Sequence, residues 1–206
     1  DQGERQVLLQ KASILTDRLQ LADTRITQVQ ADLDAEVATD VEDINRLLGN
    51  IAELNGQIGR FEINNPGTAV DLRDQRQARL EELASKLNVT VSDAGGGQLQ
   101  VSALDGGGNP VVLVNLATVT GPVTFDGTNL SAGTPATVLA LASGSIQGAL
   151  SARDGAIQTL RDNLDALAEQ LVTSVNTAYN PLGTTGNFFA TAGTTAGTIA
   201  LQAGLN

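Results

Sequence analysis

The chain has 206 residues and a formal net charge of −11, from 23 Asp and Glu against 12 Lys and Arg, and it contains no Cys, His, Met or Trp. That inventory excludes a Ser-His-Asp triad, a Cys nucleophile, an imidazole base, a zinc site of the usual kind and a disulfide framework. The negative charge disfavours nucleic acid and anionic membrane surfaces, and one Tyr with four Phe offers few platforms for stacking on bases or sugars.

From residue 8 to residue 58 apolar side chains recur at steps of three or four: Leu8, Ala12, Leu15, Leu19, Ala22, Ile26, Val29, Leu33, Val37, Val41, Ile44, Leu48, Ile51 and Ile58 lie on one seam with Asn55. The spacing is that of a heptad repeat, with a stutter across Val29-Leu33-Val37-Val41. It predicts one long helix, which must find partner helices to bury its seam. Asn45 and Asn55 are the informative polar residues here. Two readings of Asn55 stand open: a seam amide that fixes register or partner choice, or a capping residue at the helix end, because Gly56 and Gly59 follow. On the seam reading, Asn55→Leu raises stability or alters helix pairing. Gly56, Gly59 and Asn64-Asn65-Pro66-Gly67 are expected to end the helix. A second helix is predicted over about 71–87, with Leu72, Arg76, Leu80, Leu83 and Leu87 on one face. Asp71 and Asp74 fall in its first turn, where the helix dipole favours anions.

The period then changes to two. Val89–Ser92, Leu99–Ser102, Val111–Val114, Val119, Val123–Phe125 and Val138–Leu141 read as short strands, joined by glycine-rich turns at 95–97, 106–110 and 126–127. Residues 94–142 carry no Lys or Arg, and half of the 22 glycines fall between Gly95 and Gly148. A return helix follows, with Ile146, Leu150, Ile157, Leu160, Leu164, Leu167, Leu171 and Val175 on one face up to about Tyr179, and Asn180-Pro181 stops it. The expected organisation is a helical stem at 1–92, a small β domain at 93–142, a return helix of the stem at 143–180, and the Gly/Thr-rich start of a further β segment at 181–206. The fold class is mainly α with a β insert: an elongated antiparallel helical bundle or coiled-coil stem plus a small antiparallel β domain.

The chain is poor in chemistry. The acidic cluster Asp32, Asp34, Glu36, Asp40, Glu42 and Asp43 lies inside the heptad run and lacks the turn glycine and alternating ligands of a calcium loop, so it reads as a solvated helix face. The glycine triplets lack the Lys-Ser/Thr of a phosphate loop. No serine sits in a Gly-x-Ser-x-Gly frame. No apolar run approaches the roughly 18 residues of a membrane span, and Asp1-Gln2-Gly3-Glu4 has no signal-peptide character. No cofactor, metal or catalytic residue is expected.

Several strings, in order, resemble the FlgK family of flagellar hook-associated protein 1. Val41-Glu42-Asp43-Ile44-Asn45-Arg46-Leu47-Leu48 continuing to Ile51-Ala52-Glu53-Leu54-Asn55-Gly56-Gln57-Ile58 is similar to that family's V-x-x-I-N-x-L-x-x-x-I-A-x-L-N-x-x-I helix. Asp71-Leu72-Arg73-Asp74-Gln75-Arg76 is similar to its D-L-x-D-Q-R-D helix start, with Gln77 in place of the last Asp. Gly144-Ser145-Ile146-Gln147-Gly148-Ala149-Leu150-Ser151-Ala152-Arg153-Asp154 resembles its G-x-l-x-G-l-l-x-x-R-D string. Leu164-Asp165-Ala166-Leu167-Ala168, with Val175-Asn176, and Gly186-Asn187-Phe188-Phe189 complete the series. The family usually has His near Tyr179, and this chain has none.

The resemblance implies a non-enzymatic structural subunit of the bacterial flagellum at the hook–filament junction, secreted and extracellular. It acts by self-assembly and adaptor contacts, with other copies of itself, the hook subunit and hook-associated protein 3 as partners and an export chaperone for the full-length protein. It also implies that the chain is a fragment lacking both terminal segments of the family, hence monomeric in isolation. Asn45, Asn55 and Asn176 are the candidates for helix register or packing; Asp71, Asp74, Arg76, Arg153 and Asp154 are the family-motif positions. The alternatives are hook-associated protein 3, a flagellin-like axial protein, or a secreted coiled-coil adhesin or binding module.

Overall fold

The computed structural model describes residues 2–183 and 186–205; Asp1, Thr184, Thr185 and Asn206, which belong to the expected 1–92 and 181–206 segments, lie outside them. The chain is mainly helical, with antiparallel helices and a small antiparallel β region. Helix α1 spans Gln2–Phe61 and α2 spans Val70–Lys86. Seven strands follow: β1 Thr90–Gly95, β2 Gln98–Leu104, β3 Pro110–Asn115, β4 Thr118–Val119, β5 Thr124–Phe125, β6 Leu130–Ala132 and β7 Thr137–Val138. They form one sheet in the order β1-β2-β3-β4 and another in the order β5-β6-β7, all neighbours antiparallel. Helix α3 (Ser145–Ser151) runs into a π-helical segment, Ala152–Ile157, and then into α4 (Gln158–Tyr179).

Two compact units result, one of residues 33–151 and one of residues 2–32 with 152–205; α1 contributes to both. In the 33–151 unit, Val37, Val41, Ile44, Leu48 and Ile51 of α1 meet Leu80 and Leu83 of α2, Ile146 and Leu150 of α3, and the inward strand residues Val101, Leu113, Val114 and Leu130. The sheets therefore share one apolar core with the helices. Each fully buried Leu or Ile there contributes about 1.5–3 kcal/mol of hydrophobic stabilisation. In the other unit, Ala12 and Leu19 of α1 pack with Ala168 and Val172 of α4, and with Phe188, Phe189, Ala196 and Ile199. There, among the described residues, the chain after α4 folds back through an isolated antiparallel bridge, Phe189 to Leu201.

The expected helix end at Gly56 and Gly59 is corrected by the structure. Helix α1 runs through both glycines to Phe61. Their absent side chains serve close approach instead: a Cβ on Gly56 would lie 3.1 Å from the Ala117 Cβ, and one on Gly59 would lie 2.9 Å from the Gln98 side chain. The helix thus accepts about 1 kcal/mol per interior glycine to let two hairpin turns pack against it. The return helix is likewise interrupted by the π segment, which the helical period through Leu150 and Ile157 did not reveal. Strand β6 was not expected either; Leu130-Ser131-Ala132 is short and lies in a Gly/Thr background.

Gly144 begins the turn into α3 with φ +96°, and a Cβ there would collide with the Lys86 carbonyl. Both the left-handed backbone and the contact exclude a side chain. Gly144→Ala is expected to destabilise the 33–151 unit by about 2–4 kcal/mol, read as a lower midpoint in urea denaturation.

Candidate functional site

Turns and short strands carry backbone groups that a small sheet cannot all pair, and a buried unpaired group costs about 1–3 kcal/mol. In this chain three helix-borne asparagines supply the missing partners. Asn45 of α1 donates from Nδ2 to the Val123 carbonyl at 2.8 Å and accepts from the Val123 N–H at 2.8 Å, pairing as a neighbouring strand would. Asn55 is fully buried. Its Nδ2 donates to the Leu99 and Leu116 carbonyls, both at 2.8 Å, and its Oδ1 accepts from the Leu99 N–H at 3.2 Å. Leu116 stands in the β3–β4 turn at φ +53°, unusual for a residue with a side chain, and its carbonyl is held by that bond. In the other unit, Asn176 of α4 donates to the Phe189 carbonyl at 3.0 Å and accepts from the N–H groups of Phe188 and Phe189 at 2.9 and 2.8 Å.

The cap reading of Asn55 fails because α1 continues past it. Its contact with the second helix goes through Arg76, whose Nη1 donates to Asn55 Oδ1 at 2.7 Å and to the Gly97 carbonyl at 2.8 Å. Arg76 is buried, and burial pulls its pKa below the usual arginine value, with the Arg73 charge adding to the effect. Asp71 and Asp74 remain exposed on the first turns of α2. Arg153 and Asp154 meet within the π segment: the buried guanidinium donates to the Asp154 carboxylate at 2.7 and 3.0 Å, which holds that carboxyl below its ordinary pKa. Arg153 and Asn176 thus lie in one unit, whereas Asn45, Asn55 and Arg76 lie in the other.

Two ion pairs were not foreseen. Glu62 closes the turn between α1 and α2: it receives Arg73 Nε at 2.8 Å, Arg73 Nη2 at 2.6 Å and the Ala69 N–H at 3.1 Å. The Arg73 guanidinium lowers the Glu62 pKa to about 2 against the opposing effect of burial, helped by the N–H groups of Gly67 and Ala69. Lys86 of α2 reaches Asp40 at 2.5 Å and Asp43 at 3.1 Å on α1, and the Ser145 hydroxyl donates to the second Asp40 oxygen. Neither pair had a signal in local spacing, because the partners are far apart in sequence or lie across a turn.

The unit of residues 2–32 and 152–205 also carries an open apolar cleft of about 590 Å³ between α1 and α4, floored by Leu8, Ala12, Leu15, Leu171, Val175 and Phe188. Leu8 is 56% exposed and Leu167 of α4 also 56%. Within this unit the predicted seam is therefore partly uncovered: Ala12, Leu19 and Ile26 are buried, whereas Leu8, Leu15 and Val29 are exposed. No group of three or more Asp or Glu able to hold a metal occurs among the described residues. The geometry is suited to packing and docking.

Asn55→Leu would take the Asn55 partner from the Leu99 N–H and the Leu116 carbonyl and leave the buried Arg76 with the Gly97 carbonyl alone of its two acceptors. The expected cost is about 3–5 kcal/mol, the reverse of the gain that the seam reading implies, and thermal melts check it. A second expectation concerns acid. The folded Glu62 pKa, about 2, lies below the ordinary glutamate value of about 4.3. Its contribution is therefore complete above that value and is lost as pH falls toward 2. Melting temperature should decline between about pH 5 and 2, and Glu62→Gln should flatten that decline.

Comparison with known proteins places this architecture. The family described as the flagellar hook-associated protein FlgK helical domain matches residues 1–189. Flagellar hook-associated protein 1 of Bacillus subtilis (strain 168) is 31% identical over 106 residues, 50% of this chain and 20% of that protein. The solved flagellar hook junction protein FlgK from Burkholderia pseudomallei shares the fold with a TM-score of 0.76 at 24% identity, over 92% of this chain and 37% of its own. The chain spans well under half the length of either relative.

Proposed function

This chain belongs to the FlgK family through its helical domain, with a structural rather than a catalytic part, and on that premise we propose that it is the portion of a flagellar hook-associated subunit that docks helices at the hook–filament junction. The open groove of α1 and α4 carries the reading: large apolar side chains at heptad spacing are left half exposed, as in a bundle lacking one helix. A helix laid in that groove would bury Leu8 and Leu15 and, continued along α1 and α4, would reach the exposed Val29, Leu160 and Leu167. The polar framework of Asn45, Asn55 and Arg76 gives the reading a rigid scaffold, since it fixes β-sheet backbone onto helices without any titrating or reactive group at its centre.

In this reading the full-length protein works outside the cell, after export with a chaperone. Its partners are other copies of itself, the hook subunit and hook-associated protein 3, and the 206-residue chain alone is monomeric. The hook-associated protein of Bacillus subtilis and the hook junction protein of Burkholderia pseudomallei, both similar to this chain, support the reading, and the absence of His and Cys suits a passive part.

The test is made in the bacterium that encodes the chain, in its full-length protein. Leu15→Glu, in the groove lining, and Leu167→Glu, exposed on α4, are expected to leave export intact while abolishing filament attachment and swimming. Normal swimming with both substitutions in place would overturn the proposal.

A further inference from the structure

The groove has two unlike rims. On the α1 side Lys11, Arg18 and Arg25 recur every seven residues, so they stand in one row along the helix. All three are exposed, and none makes a hydrogen bond or ion pair among the described residues. Most basic groups elsewhere, Arg5 and Arg60 apart, are engaged: Arg46 holds Asp43, Arg73 holds Glu62, Arg76 donates to Asn55, Arg79 holds Glu82, Lys86 holds Asp40, Arg153 holds Asp154 and Arg161 meets Asp23. On the α4 side the row in the same phase is Asn163, Gln170 and Thr177, exposed and uncharged. Leu8 and Leu15 line the groove, Val29 continues their heptad row along α1, and Leu160 and Leu167 form a heptad row along α4; all five are 41–56% exposed. In a chain with 23 acids and 12 bases, three cations in one row, none with a carboxylate partner among the described residues, form a basic flank open to an external carboxylate.

We infer that the groove takes an amphipathic helix whose carboxylates repeat every seven residues along the flank lying against α1, with uncharged polar residues along the flank lying against α4. The repeat of seven residues is about 10.5 Å on both helices, so carboxylates and cations stay in step. The one-sided rim also sets direction. Turned end for end, the same helix would bring its acidic flank against Asn163, Gln170 and Thr177 and leave the cations facing water. This rests on the reading of the groove as a helix-docking face and adds to it the charge and orientation of the occupant.

Two synthetic helices test it, with identical leucine heptads, no aromatic residues and one flank of Gln. The other flank is Glu in one helix and Lys in the other. Each is titrated into the 206-residue chain, and Tyr179, its sole tyrosine, reports from the groove by fluorescence. The Glu helix is expected to bind about tenfold more tightly than the Lys helix, the scale for three exposed ion pairs. The ratio should collapse near 0.5 M salt, roughly, and the triple variant Lys11→Glu, Arg18→Glu, Arg25→Glu should reverse it. Those side chains are exposed and make no hydrogen bond or ion pair among the described residues, so the variant is expected to keep the fold. Equal affinities for the two helices, unchanged in the triple variant, would overturn the inference and leave the docking face standing. Binding of neither helix would sink the docking face and the inference together. Self-association of the chain that Leu15→Glu abolishes and the triple variant leaves untouched would also overturn the inference, by showing a second copy held through apolar contacts alone.

Discussion

A backbone amide buried beside a helix has nothing to pair with, because the helix has already spent its own amides on itself. The 33–151 unit meets that constraint with the Asn55 carboxamide. It has the donor and acceptor of a peptide group but projects sideways from α1, so it can continue a hydrogen-bonding pattern that the helix backbone cannot. Around it gather α1, α2 through Arg76, strand β2 through Leu99, and the β3–β4 turn through Leu116. Gly56, its neighbour, removes the side chain that would have kept that turn away. The close approach and the hydrogen bonds need each other: without the glycine the amide could not reach, and without the amide the approach would bury unpaired carbonyls.

The ion pairs play a different part from the amides. Glu62 with Arg73 and Asp40 with Lys86 tie α1 to α2 at the two ends of their contact, leaving the middle to leucines and to Arg76. Charges at such positions fix which helix faces which and in what register. The Glu62 pair responds to acid, whereas the amides at the sheet attachment do not.

Much of the fold was legible because it rests on periodicity. The long seam announced α1, Leu72 to Leu87 announced α2, and alternation with glycine turns announced most strands. What escaped has a common physical cause, namely dependence on partners distant in sequence. Glycine inside a helix and glycine at its end look alike until the Ala117 and Gln98 neighbours are seen. Asn55 reads as a seam or cap residue until its partners, 44 and 61 residues away, come into place. The π segment was hidden because Leu150 and Ile157 keep a helical spacing across it. The groove was half visible: the seam was read whole, but only the structure separates the buried row of Ala12, Leu19 and Ile26 from the bare row of Leu8, Leu15 and Val29.

The atoms that Asn45, Asn55 and Arg76 grip in the β region all belong to the main chain: Val123 N–H and carbonyl, Leu99 N–H and carbonyl, and the carbonyls of Leu116 and Gly97. No side-chain identity is read at these points. The sockets on α1 and α2 would accept another insertion whose backbone passes through the same few positions, whatever sequence it carried on its outer surface. The inserted region is thereby free to diversify, or to be exchanged for a foreign one, while the helices that receive it stay as they are.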